Sequence, residues 1–210
     1  MGNHFHHIIQ SEAELLSLLG EPSDLAKNKV ITSLDEQCIQ FLNRAPFLVV
    51  ATSNREGQCD VSPRGDAPGF VYVIDEKTIL IPERKGNKRA DSMKNILETS
   101  HVGLQFFIPG LEETLRINGE AVLITDIKWL EKMEVQGQIP AVAIAVTITE
   151  CFIHCAKAFK RSELWKPSTW PAKDLLPNPA KMLRDHANMK DQSVEAMEKH
   201  LQNSYKNDLY

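Results

Sequence analysis

The sequence predicts a mainly β fold with flanking helices, wound as a small antiparallel barrel. Three observations carry this expectation. From Phe47 to Ile153 the apolar residues fall into six or more strand-length runs separated by short turn clusters. One helical pattern is set among those runs, directly after a cationic stretch, Glu83 to Asn95. Helical patterns also occupy both ends of the chain, where they can cover the open faces of a barrel.

The first 45 residues read as helices. His4, His6 and His7 form a polar lead-in, better read as a frayed terminus than as a metal site. Ser11 and Glu14 have capping-box spacing ahead of Leu15, Leu16, Leu18 and Leu19, and Gly20 is a natural stop. A second helix is expected from about Ser33, with Leu34, Cys38, Ile39, Phe41 and Leu42 on its buried stripe and Pro46 beyond its end.

Strands follow. FLVVAT, from Phe47, is a short continuous apolar run of core-strand type, and Asn54 to Gly57 is a hairpin turn. Cys59 to Arg64 should pair with it, placing Asp60, Ser62 and Arg64 on one face and Val61 with Pro63 on the other. Pro63 has no N–H to give a ladder, so this strand lies at an edge. Further strands are expected over Phe70 to Ile74, Thr78 to Ile81, His101 to Ile108, Thr114 to Ile124 and Ala141 to Ile153, with a short helix from Asp126 to Val135. A helix from Ala156 towards Trp165, an irregular Pro- and Trp-rich segment and an amphipathic C-terminal helical region complete the chain. The expected divisions are 1–45 (N-terminal helices), 46–165 (the β domain) and 166–210 (an irregular segment and helices packing on the barrel or on a dimer).

The most informative chemistry lies at Arg84, Lys85, Lys88 and Arg89, gathered around Gly86-Asn87. Asn87 is a candidate N-cap for the helix that follows, whose buried face would carry Met93, Ile96 and Leu97. Lys88 and Arg89 would then sit in the first turn, against the helix dipole, a conflict that a bound anion would resolve. A solvated basic loop is the competing reading.

Bulk properties narrow the classes. The chain of 210 residues has a net charge of -4, which argues against broad neutralisation of nucleic-acid phosphates, and no run is long and apolar enough to span a membrane. Four cysteines, at positions 38, 59, 151 and 155, are too few and too scattered for a disulfide framework, so a reducing, cytoplasmic setting is expected. Cys151, His154 and Cys155 do not make a metal site: residues four apart on a strand are about 13 Å apart, and His154 points to the other face. His101 and His154 are the histidines of the β region, and a structural role is the simpler reading for each.

Several pieces together resemble a known family. The strand pair FLVVATSNREGQCDVSPRGD, the segment ILIPERKGNKRADSMKNI, the strand LQFF and the stretch LEETLRINGEA occur in the order and spacing of the pyridoxamine 5'-phosphate oxidase-like FMN-binding split barrels. The resemblance covers roughly Phe47 to Ala121 and continues, more weakly, through Trp165. With HCAKAFKRSELW it extends to a subgroup known only as FMN-dependent by inference. It implies a Greek-key split β-barrel, a homodimer and one FMN in each of two interface sites. It implies that Arg84, Asn87, Lys88, Arg89 and Ser92 hold the flavin phosphate. It also places Val61, Ser62, Pro63 and Arg64 along the isoalloxazine, with Ile81 and Pro82 at the strand end beside the ring. Thr114 stands where the family has a glutamine, with Arg116 two residues on. Arg64 or Arg116 would supply positive charge near the flavin N1 and O2. The implied function is that of an FMN-dependent oxidoreductase of a small molecule, the alternative being a non-catalytic flavin-binding or stress-related protein. The Arg-x-His tail with which the true oxidase engages its substrate phosphate is missing, so pyridoxamine phosphate is not the default substrate.

Overall fold

The computed structural model describes residues 4–210. Seven strands form one antiparallel sheet: β1 (Phe47–Ser53), β2 (Cys59–Gly65), β3 (Tyr72–Asp75), β4 (Thr78–Pro82), β5 (His101–Phe107), β6 (Thr114–Ile124) and β7 (Ala143–His154). Their order is β2-β1-β5-β6-β7-β4-β3. β2 and β3 are consecutive in the chain yet lie at opposite edges of the sheet, so the barrel is split and not closed. This is the split-barrel architecture that the strand pattern and the family resemblance anticipate. Pro63 lies in edge strand β2, where its missing donor is tolerated.

Alternation along the strands builds the core. Leu48 and Val50 of β1, Ile79 and Ile81 of β4, and Leu104 and Phe106 of β5 are at most 2% exposed. Burying side chains of this size contributes about 1.5–3 kcal/mol each. β6 and β7 pair along their length with one irregularity, where Asn118 faces Glu150 but Gly119 faces Ile148. Thr149 is thereby an extra residue, and the inward phase of β7 changes from Ile144, Val146 and Ile148 to Cys151.

Helices close the ends. α1 (Glu12–Leu19) is capped by Ser11 Oγ, which accepts from Glu14 N, while the Glu14 carboxylate reaches back to Gln10 N. None of its residues is buried, and Leu18 and Leu19 face solvent. A short α2 (Asp24–Asn28), capped by Ser23, follows where the sequence indicated only a break. α3 (Glu36–Leu42) starts at Asp35, not near Ser33, and packs Cys38, Phe41 and Leu42 into the barrel. α4 (Asp91–Thr99) lies over β1, β2 and β6 and buries Ser92 and Ile96. Leu97, expected on the buried face, is 74% exposed. One residue on from Ile96 is a rotation of about 100°, enough to carry it off that face.

α5 (Ile127–Leu130), continued by a 3-10 turn to Met133, covers a smaller apolar cluster with Leu80 and Ala143. α6 (Lys157–Ser162) follows β7, and α7 (Pro179–His186) packs with α8 (Val194–Asn207). Of the stripe expected on these last two helices, Met197 is buried, whereas Met182 and Leu183 remain exposed.

Candidate functional site

A cavity of about 470 Å³ opens beside edge strand β2, between it, the end of β4, the loop that follows and the first turn of α4. Its volume lies in the range of about 300–1,000 Å³ usual for small-molecule sites. The pleat of β2 turns Asp60, Ser62 and Arg64 inward, as the alternation requires, and leaves Val61 68% exposed.

These inward residues meet Ser92 of α4. Ser92 Oγ donates to Asp60 Oδ2 at 2.5 Å, and Arg64 donates through Nη1 to Ser62 Oγ at 2.6 Å. A longer contact of 3.5 Å runs from Arg64 Nη2 to Ser92 Oγ. Arg64 Nε lies 3.3 Å from Glu83 Oε2, but the geometry makes no hydrogen bond, and both atoms are buried without a partner. The cavity wall therefore holds a cation whose nearest counter-charge is Glu83.

The loop differs from its sequence-based description. Ala90, not Asn87, is the N-cap of α4, and it makes no side-chain cap. Asn87 Oδ1 instead accepts from Arg89 N at 3.0 Å, a local turn three residues before the helix begins. Lys88 and Arg89 precede the helix and do not oppose its dipole, while Asp91 stands in the first turn, where a negative charge is favoured. Lys88 and Ala90 both have left-handed backbone, with φ of 61° and 57°. Residues of this conformation alternating with ordinary ones turn successive backbone N–H groups to one side, as in anion-binding nests. For Ala90 the conformation costs about 1–2 kcal/mol. The cations thus lie in the loop and not in the first turn of the helix.

Most of the cations are already paired. Arg84 Nε donates to Asp66 Oδ2 at 2.7 Å, Lys85 pairs with Asp208, and Arg89 pairs with Asp91. Lys88 has no ion-pair partner among the described residues. The Asp66 side chain is 1% exposed and accepts also from Ala67 N at 2.7 Å and from Tyr210 Oη at 2.8 Å. Burial pushes its carboxyl pKa up, but the Tyr210 and Ala67 hydrogen bonds and the Arg84 guanidinium outweigh that and hold it below the usual carboxylate value. The same hydrogen bond, with burial, raises the Tyr210 phenol. The Arg84 guanidinium carbon is 5.8 Å from the Tyr210 ring centroid. The last residues of the chain thus form part of the rim, and Leu209 lines the cavity itself. A second cavity of about 620 Å³ shares Glu83 to Gly86, Lys88 and Met93 and continues to Ile139, Pro140 and Tyr210.

Ser62, Pro63, Arg64, Pro82, Arg84, Asn87, Lys88, Arg89 and Ser92 of the expected site surround one cavity. Val61, Ile81, Thr114 and Arg116 do not line it. Ile81 is fully buried in the core, and Thr114 is 1% exposed and accepts from Gln105 Nε2 at 3.0 Å. Arg116 lies over the Phe152 ring at 5.5 Å. Sequence reasoning did not select Asp60, Glu83, Asp66, Leu209 or Tyr210. Asp60 was readable, since it shares the alternating face of Ser62 and Arg64; the C-terminal pair carries no local signal. Among the described residues no group of three or more His, Cys, Asp or Glu side chains could hold a metal ion, and no helix is long and apolar enough to cross a membrane.

The chain is similar to several known proteins. No curated protein sequence gives a significant match. Solved structures with similar folds include the HupZ protein of group A Streptococcus (17% identity, covering 57% of this chain and 93% of that one, TM-score 0.45). They include general stress protein 26 of Bacillus anthracis (10% identity, 54% and 88% covered, TM-score 0.43). An FMN-binding protein of Syntrophomonas wolfei is similar at 10% identity, with 55% and 87% covered and a TM-score of 0.41. The profile of the pyridoxamine 5'-phosphate oxidase family matches residues 34–155. Because that match spans more than half of the chain and takes in every strand of the sheet, the chain belongs to the pyridoxamine 5'-phosphate oxidase family.

Proposed function

We propose that the protein binds FMN in the cavity beside β2 and serves as an FMN-dependent oxidoreductase of a small molecule. The observation that carries this reading is the single cavity lined by Arg64, Asn87, Lys88, Arg89 and Ser92, in which Lys88 has no ion-pair partner among the described residues. A phosphate-bearing ligand would bring a counter-charge to Lys88, which has none among the described residues. Lys88 and Arg89 would hold the phosphate from the rim, since Lys88 is free and Arg89 is tied only through an exposed pair with Asp91. Ser92 and Asn87 would orient it. Arg64 would keep negative charge near the ring favourable, because its side chain is only 15% exposed and poorly screened. Bound there, the flavin supplies hydride or electron transfer, while the chain supplies position and charge.

The same reading includes a homodimer. Val61, Ala51, Gly103 and Asn118 stand in one row across β2, β1, β5 and β6. A shallow cavity of about 490 Å³ runs over this outward row, and Val61 and Val122 are exposed at 68% and 59%. A flat, partly apolar strip of small residues suits a second copy of the sheet. Arg116, which does not reach its own cavity but is exposed, enters this reading only through the neighbouring subunit's site, whereas Thr114 is buried and does not enter it.

The test is the visible absorption spectrum of freshly purified protein, followed by acid release and chromatography. A two-banded flavin spectrum with about one FMN released per chain is expected. A colourless protein that also fails to take up added FMN overturns the proposal. Reduction of the bound flavin by an anaerobic electron donor then separates an oxidoreductase from a carrier.

A further inference from the structure

Two cysteines that are far apart in the chain meet in the core. Cys38 Sγ and Cys151 Sγ are 3.5 Å apart, across 113 residues of sequence. Cys38 is 8% exposed and Cys151 is fully buried, whereas Cys59 and Cys155 are exposed. Two features of the fold bring the thiols together. Asp35 caps α3 by accepting from Cys38 N at 2.8 Å, which fixes the helix so that Cys38 faces inward with Phe41 and Leu42. The extra residue at Thr149 changes the phase of β7, so Cys151 points into the barrel where an unbroken alternation would turn it out. The backbone of Cys151 is held as well, since it exchanges hydrogen bonds with Ile31 at 3.0 and 2.7 Å.

We propose that Cys38 and Cys151 are a thiol pair that hydrogen peroxide oxidises to a disulfide, stapling α3 to β7, and that a dithiol reductant reopens. Neither residue lines the candidate flavin cavity, so the proposal does not rest on the flavin reading. A disulfide of about 2.05 Å requires the sulfurs, now 3.5 Å apart, to close by about 1.5 Å. The two thiols share a contact in which either sulfur can donate, and it favours the Cys38 thiolate against the opposing effect of burial. That hydrogen bond and burial both raise the Cys151 thiol. Cys38, 8% exposed where Cys151 is fully buried, is the thiol that peroxide reaches first and so the attacking group. Its thiolate attacks one peroxide oxygen, the O–O bond breaks, and the departing hydroxide takes up the proton released by Cys38, leaving a sulfenic acid and water. The Cys151 sulfur then attacks Cys38, the S–O bond breaks, and the hydroxide leaves with the Cys151 proton as a second water. The thiols lose two electrons and peroxide gains them. Burial restricts the oxidant to one hardly larger than water, which favours peroxide over bulky disulfides.

The experiment uses the full chain in its native state. Cys59 and Cys155 are first blocked with N-ethylmaleimide, excess reagent is removed, and the protein is treated with hydrogen peroxide. Peptide mapping without reductant should reveal a Cys38–Cys151 cross-link that dithiothreitol removes. Cross-linking across so long a loop should raise the unfolding midpoint by at least about 5 °C, reversibly. Cys38→Ser and, separately, Cys151→Ala should abolish both the cross-link and the shift. The wild-type map decides the matter even if either variant fails to fold. The proposal is overturned if both thiols stay free, or if Cys38 passes to sulfinic acid without a cross-link, at peroxide doses that oxidise Cys59 in an unblocked sample.

Discussion

Replacing Asp66 with Asn tests how the rim of the candidate site is assembled. Ala67 N and Tyr210 Oη both donate to Asp66 Oδ1, while Arg84 Nε donates to Oδ2. An asparagine that keeps its oxygen at the first position preserves two of these bonds. It then presents an amide donor to the guanidinium, which loses its acceptor. A hydrogen bond to a charged group contributes about 1.5–3 kcal/mol, and leaving one partner of a buried ion pair uncompensated costs about 3–5 kcal/mol. The Asp66 and Arg84 side chains are 1% and 15% exposed, so some water reaches the arginine. A loss of about 3 kcal/mol at neutral pH is therefore expected. Urea unfolding should show it as a lower midpoint with unchanged slope. The pH dependence gives a second check. The folded Asp66 carboxyl lies below its ordinary value of 3.8, so its contribution is fully present above that value and is lost as pH falls through the folded pKa. The gap between wild type and variant should narrow in acid. In an Arg84→Met background the same replacement should cost little. A gap below about 1 kcal/mol at pH 7, or one that does not change with pH, would refute the reasoning.

Three further outcomes are expected. Arg89→Ala should weaken FMN binding by about 1.5–3 kcal/mol, measured by fluorescence titration, while changing stability by no more than about 0.5 kcal/mol; unchanged affinity would remove this residue from the phosphate site. Gly119→Ala should destabilise the fold by about 2–4 kcal/mol in urea, because a Cβ there meets Thr147 O at 2.3 Å and Val146 Cγ1 at 2.9 Å; a neutral result would mean that the β6–β7 irregularity relaxes freely. Val61→Asp should give a monomer by light scattering if the outward row is the subunit interface, and a persisting dimer would place the interface elsewhere.

Much of the fold was legible because it depends on local pattern. Alternation in Cys59 to Arg64 set which side chains face inward, Pro63 marked an edge strand, and the spacing of turns separated the hairpins. The cationic loop was legible as a place but not as a conformation. Asn87 has a good capping side chain, yet the left-handed Lys88 and Ala90 move the helix start to Asp91, a choice made by the packing of Ser92 and Ile96. The sequence by itself determined strand polarity, the edge position of β2 and the clustering of Arg84 to Ser92, since each follows from side-chain period or from proline chemistry. Only the tertiary structure decided that Asp66 and Tyr210 clamp Arg84 and that Cys38 meets Cys151. Those pairs are 144 and 113 residues apart, and nothing local encodes a contact that exists only once the sheet has coiled and the bulge in β7 has reset its phase.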